Sequence, residues 1–92
     1  MKNNHKEYIK LFKAFADEKR LSILDILKNG EQCACVLLEQ LDLTQSGLSY
    51  HMKILSESGI VNSRQEGKWT YYTISEDGKK RIIESIEQLT SK

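Results

Sequence analysis

Residues 44–75 read TQSGLSYHMKILSESGIVNSRQEGKWTYYTIS, and the hydrophobic period changes partway along them. Up to Ser58, the residues Leu48, Met52, Ile54 and Leu55 recur at helical spacing. Thr44 suits the cap that opens this helix, and Ser58-Gly59 suits its end. Ile60-Val61 then begins a strand, Gln65-Glu66-Gly67-Lys68 forms a turn, and residues 69–74 make a second strand rich in aromatic and threonine side chains.

Working outward, residues 5–16 place Tyr8, Leu11, Phe12, Phe15 and Ala16 on a broad aromatic stripe. Asp17 suits the cap of a second helix with Leu21, Ile23, Leu24, Ile26 and Leu27, which stops at Asn29-Gly30. A third helix is expected from just after Glu31 through Val36, Leu37, Leu38 and Leu41, with Asp42 at its end or in the turn beyond. Helical spacing returns over residues 76–89 with Ile82, Ile83, Ile86 and Leu89. Two short helices directly before a hairpin fit a mainly α, winged helix-turn-helix domain spanning 1–92. The same order also serves an α+β adaptor that uses these elements for protein contacts.

The chain has 92 residues, 14 Lys+Arg against 13 Asp+Glu, and a formal net charge of +1. That size allows one domain and excludes an enzyme with separate cofactor and substrate domains. A Gly-rich phosphate loop, an HExxH pair and a nucleophile with an evident base are all missing from the sequence, so the chain reads as no enzyme and needs no organic cofactor. No apolar run approaches the ~18 residues of a membrane span. Residues 1–10 lack the apolar segment of a secretory signal, so a cytoplasmic protein with reduced thiols and no membrane partner is expected. Residues 1–30 hold seven basic and four acidic groups, while the rest is nearly balanced. A nucleic-acid partner would therefore be held by placed contacts in a modest field, which dimerisation doubles.

Cys33 and Cys35 are the only cysteines. Positions i and i+2 of a regular helix lie about 200° apart, so two thiolates there can grip one ion only if the first turn is open or distorted. Soft thiolates favour soft ions, and two of them leave a tetrahedral zinc site incomplete. A disulfide between them needs a similar backbone departure. Inert packing cysteines and redox chemistry therefore stand beside metal binding as readings of this pair.

The segments LFKAFADEKRLSILDILKNG (11–30), EQCACVLLEQL (31–41), TQSGLSYHMKILSESGIV (44–61) and RQEGKWTYYTIS (64–75) together resemble the ArsR/SmtB family of winged-helix repressors responsive to metals and metalloids. The resemblance implies a homodimer, joined through the first and last helices (about 5–16 and 76–90), on a pseudo-palindromic operator in double-stranded DNA. On the fourth helix Gln45, Ser46, Ser49, Tyr50 and Lys53 suit base edges and phosphates, and Arg64 and Lys68 flanking the wing turn suit phosphate. His51 and Lys53 match polar positions of the family's recognition helix, and His51 reads alternatively as a core or helix-packing histidine. The resemblance also implies As(III) or Sb(III) as effector at Cys33 and Cys35. The family's commoner Pro is Gly47 here, an Asp often following the second cysteine is Val36, and the third cysteine of some members is Leu38. A two-thiolate site completed by hydroxide, water or a small thiol is the resulting expectation. Residues 76–92 contain no histidine, which excludes the zinc or nickel site of other members. Another thiophilic metal, redox or reactive-sulfur chemistry at the same cysteines, and a constitutive DNA-binding module remain as alternatives. Trp69, Tyr71 and Tyr72 cannot share one strand face and are expected to pack the wing onto the body.

Overall fold

The computed structural model describes residues 5–92, so the first four residues of the segment read above for a leader lie outside the described residues. The elements run α1 (His5–Phe15), α2 (Glu18–Leu27), β1 (Gln32–Cys33), α3 (Ala34–Leu41), α4 (Gln45–Ser58), β2 (Val61–Glu66), β3 (Trp69–Ile74) and α5 (Glu76–Thr90). This is the expected winged helix-turn-helix, with one strand more than the sequence suggested. The helix expected from just after Glu31 starts at Ala34, because Gln32 and Cys33 are extended and pair antiparallel with Tyr72 and Tyr71. The sheet order β1-β3-β2 makes β3 the central strand.

Local chemistry explains most boundaries. Asp17 caps α2 by accepting from the backbone N–H groups of Lys19 and Arg20. Asp42 ends α3 in the left-handed conformation and turns the chain toward α4. Thr44 caps α4 by accepting from the Gly47 N–H at 3.0 Å, so the residue that lowers helix propensity there also supplies the capping donor. Gly59 closes α4 at φ 85°, a conformation that costs side-chain-bearing residues dearly.

The core gathers Leu11 and Ala14 of α1, Ile23 and Leu27 of α2, Leu37 of α3, Leu48, Met52 and Leu55 of α4, with Ile60, Val61 and Ile82. On β3 the aromatic residues divide by strand parity: Tyr72 and Ile74 pack against this core, whereas Trp69 is half exposed. Only Tyr72 of the three aromatics thus meets the expectation of packing onto the body.

The closing helix is seated by a close backbone approach. Ser75 donates its N–H to the Ile60 carbonyl at 2.7 Å and caps α5 through Gly78. A Cβ on Gly78 would collide with the Gly59 carbonyl oxygen, and rigid backbone cannot yield as a side chain does. Gly78→Ala should therefore destabilise the fold by about 1–3 kcal/mol. The clash outweighs the gain in helix propensity of up to ~1 kcal/mol. The urea midpoint measures this, and an unchanged or raised midpoint would contradict the close packing.

Candidate nucleic-acid interface and cysteine site

Helix α4 has two clearly different sides. Leu48, Met52 and Leu55 face the core, while Gln45, Ser46, Ser49, Tyr50 and Lys53 are exposed. These five offer amide, hydroxyl, phenol and ammonium groups, a set able to meet base edges and phosphates. His51 does not join them. It lies two residues from both Ser49 and Lys53, hence about 200° round the helix from each. Its side chain is only 12% exposed. The Nδ1 atom of His51 receives the Nη1 donor of Arg20 at 3.0 Å, and its ring meets that of Tyr50 edge to face.

Arg20 was not singled out by sequence reading, yet it is 5% exposed. Its Nε and Nη2 both donate to the Lys13 carbonyl, at 3.2 and 3.0 Å. A signal was present: Arg20, Ile23 and Leu27 follow the helical i, i+3, i+7 pattern, which puts a cation in the apolar stripe. Beside it, burial pushes the Asp17 carboxyl up, but the backbone N–H groups of Arg20 and Lys19 and the charge of Arg20 bring it below its ordinary value.

In the wing, Gly67 turns the hairpin at φ 63°, and β2 pairs with β3 from Val61↔Ile74 to Glu66↔Trp69. Lys68 lies over the Trp69 ring at 5.8 Å. Arg64 is held in a fork: Nε and Nη2 donate to the two oxygens of Glu31 at 2.7 and 2.8 Å, and Nη1 donates to Glu66 at 2.7 Å. The guanidinium also sits 4.6 Å from the Tyr71 ring centre. Three of the five N–H groups of Arg64 are so occupied and the side chain is half exposed, so a phosphate can meet the remaining two or compete with the carboxylates. The hydrogen bonds from Arg64 outweigh desolvation and hold the Glu31 carboxyl below its ordinary range.

Glu31 leads straight into the cysteines. Cys33 is the last residue of β1 and also the cap of α3, with its Sγ accepting from the Cys35 N–H at 3.2 Å. Its extended backbone (φ −69°, ψ 146°) folds its side chain over the first turn. The structure joins Cys33 to Cys35 as a disulfide, with Cα atoms 5.2 Å apart. The open first turn that a shared site requires is thus provided by a strand running into a helix. Cys33 is buried at its edge and Cys35 is exposed. Leu38 packs against the core, and among the described residues no group of three His, Cys, Asp or Glu side chains could hold a metal ion. The protein's own contribution to such a site is two sulfurs. No described helix is long and apolar enough to cross a membrane.

Comparison with known proteins gives a consistent result. The family model described as bacterial regulatory protein, arsR family, matches residues 17–63. An uncharacterised HTH-type transcriptional regulator of Methanocaldococcus jannaschii is 42% identical over 80 residues, which is 86% of this chain and 90% of that protein. The arsenical resistance operon repressor of Bacillus subtilis is 40% identical over 73 residues, 78% of this chain and 70% of the relative. Among solved structures, HlyU from Vibrio cholerae superposes over the whole of both chains with a TM-score of 0.76 and 37% identity.

The Arg64–Glu31 fork makes a pH prediction. A carboxyl held low by folding adds stability at neutral pH, and that stability is lost as pH falls through and below the ordinary glutamate range. Carboxyl NMR should place the Glu31 midpoint below that of an exposed glutamate. Arg64→Gln should return it to the ordinary range, and an unshifted wild-type midpoint would show that the fork does not persist in solution.

Proposed function

This chain belongs to the arsR family of bacterial regulatory proteins, and on that premise we propose that it is a homodimeric repressor released from its operator by As(III) or Sb(III) at Cys33 and Cys35. The observation that carries the effector is the junction at Cys33, where the two sulfurs converge beside the helix-turn-helix. In the reduced protein, each of two thiols displaces one hydroxide of the trivalent metalloid as water. The third ligand is hydroxide, water or a small thiol. Several similar proteins are arsenical resistance operon repressors, from Bacillus subtilis, Escherichia coli and Staphylococcus aureus, and they support this effector class.

On the DNA, Gln45, Ser46, Ser49, Tyr50 and Lys53 face the groove, and Lys68 supports the wing. Arg64 reaches phosphate through its two remaining N–H groups or by exchanging its carboxylate partners. Coupling runs through backbone: Cys33 pairs with Tyr71 on β3, one residue from the core-packed Tyr72 and opposite Arg64. A bridging metalloid loads both the cap of α3 and the edge of the wing sheet. By linkage, DNA weakens metalloid binding by the factor that metalloid weakens DNA binding.

The dimer reading rests on two unpartnered faces. Ile83, Ile86 and Leu89 recur every three residues along α5 and are about half exposed, and Ile9 of α1 is more exposed still. A second copy of the chain covers them and places two recognition helices about one DNA turn apart.

A second reading is favoured by the direct joining of the sulfurs. There, hydrogen peroxide takes two electrons and two protons from the two thiols, leaving the disulfide and two waters.

Arsenite titrated into the reduced protein should raise a thiolate–arsenic absorption band in the ultraviolet that saturates near one equivalent per chain. Cys33→Ser should abolish the band and operator release together. Absence of the band, with operator release by peroxide instead, would replace metalloid sensing by the second reading. For the assembly, light scattering should give a dimer at tens of micromolar, and Ile86→Lys should shift it to monomer. A wild-type monomer would overturn the dimer.

A further inference from the structure

The inward turn of His51 calls for a role other than touching DNA. Resting on the operator-binding reading above, we infer that His51 is a positioning residue, which acts with Arg20 to set the rotational orientation of the recognition helix on the α1–α2 corner.

The remaining anchors of α4 are Leu48, Met52 and Leu55, whose contacts are apolar and non-directional. Such contacts hold a helix against a core yet resist rolling weakly. The Arg20–His51 bond is directional, and it lies on the flank of α4 rather than at its centre. It engages three helices at once, since the same guanidinium holds the Lys13 carbonyl near the end of α1 through two bonds. Arg20 itself is buried and cannot swing out to water without leaving that carbonyl behind.

The chemistry fixes the ring state. A guanidinium only donates, so His51 must present an unprotonated Nδ1 lone pair and carry its proton on Nε2. The groups facing the ring are Arg20 from α2, Asp17 at the cap of that helix, the Lys13 carbonyl through Arg20, and Tyr50 on its own helix; the Asp17 carboxylate is 3.8 Å from Nδ1.

Side-chain tips of a helix lie ~5–6 Å from its axis. A roll of about 15° then moves them roughly 1.5 Å, well beyond the ~0.5 Å window of hydrogen-bond distances. Losing the bond misplaces Gln45, Ser49 and Lys53 together, although none of them has changed.

The test uses a DNA duplex enriched from a random pool by the wild-type protein. His51→Leu should weaken binding to that duplex at least tenfold, while random-sequence DNA binding and the salt dependence stay as in wild type. His51→Asn should bind within threefold of wild type, because its amide oxygen can take the place of Nδ1 as acceptor from Arg20. In an Arg20→Met background, His51→Leu should cost little more, as expected for residues that act as one unit. Equal losses in both backgrounds, or a salt slope lowered by a whole contact, would instead make His51 a direct DNA contact and overturn the inference. Should Arg20→Met fail to fold, nitrogen NMR of the wild-type ring decides the lock: the proton must sit on Nε2 at neutral pH, and the opposite tautomer sinks the proposal. Failure of the wild-type protein to enrich any duplex would overturn the operator reading itself, whereas full binding by His51→Leu would overturn only the positioning role.

Discussion

Cys33 serves two backbone roles at once, and the architecture depends on their coexistence. As the end of β1 it pairs with Tyr71, and as the cap of α3 its sulfur receives the Cys35 N–H. A helix beginning just after Glu31 would abolish the first role and send the two sulfurs to different sides. With the junction in place, the wing becomes a three-stranded sheet whose middle strand pairs with both β2 and the cysteine-bearing β1. Chemistry at the cysteines is therefore mechanically close to the wing and α4, with no chain of side chains needed to relay it.

Two arginines show how burial separates roles that composition treats alike. Arg64 is exposed, and its ion pairs with Glu31 and Glu66 are of the kind that contribute little in water. They are exchangeable, so a phosphate can compete for the guanidinium at little cost. Arg20 is enclosed, and stripping its partners leaves a desolvated charge, a change far more costly than losing a surface pair. One cation is suited to an intermolecular contact that is made and broken, the other to a permanent structural one. A chain with a net charge of only +1 gains most from such placement, since its field alone attracts DNA weakly.

The anchoring of α5 has a similar logic. Glycines 59 and 78 bring backbone against backbone, which seats the helix by shape. Ile82 then reaches the core while Ile83, Ile86 and Leu89 point away from it. These three leave an exposed apolar stripe along α5.

The order of elements, their caps and the exposed polar side of α4 were legible in the sequence, because they follow from local rules. Periodicity marks the helices and strands, Asp17 and Thr44 mark starts, and Gly59 and Gly67 mark turns. Strand parity divides Tyr72 from Trp69 and helix parity opposes His51 to Ser49 and Lys53, yet residue type alone grouped each set together, and the structure separated them. Tertiary structure alone decided the extended state of Gln32 and Cys33, since two residues are too few to carry a period and their pairing partner lies some forty positions away. It also decided that Glu31 meets Arg64 and that Arg20 meets His51. Those pairs span sequence separations of 33 and 31 residues, and no local propensity encodes a hydrogen bond whose two ends are brought together only by the packing between them.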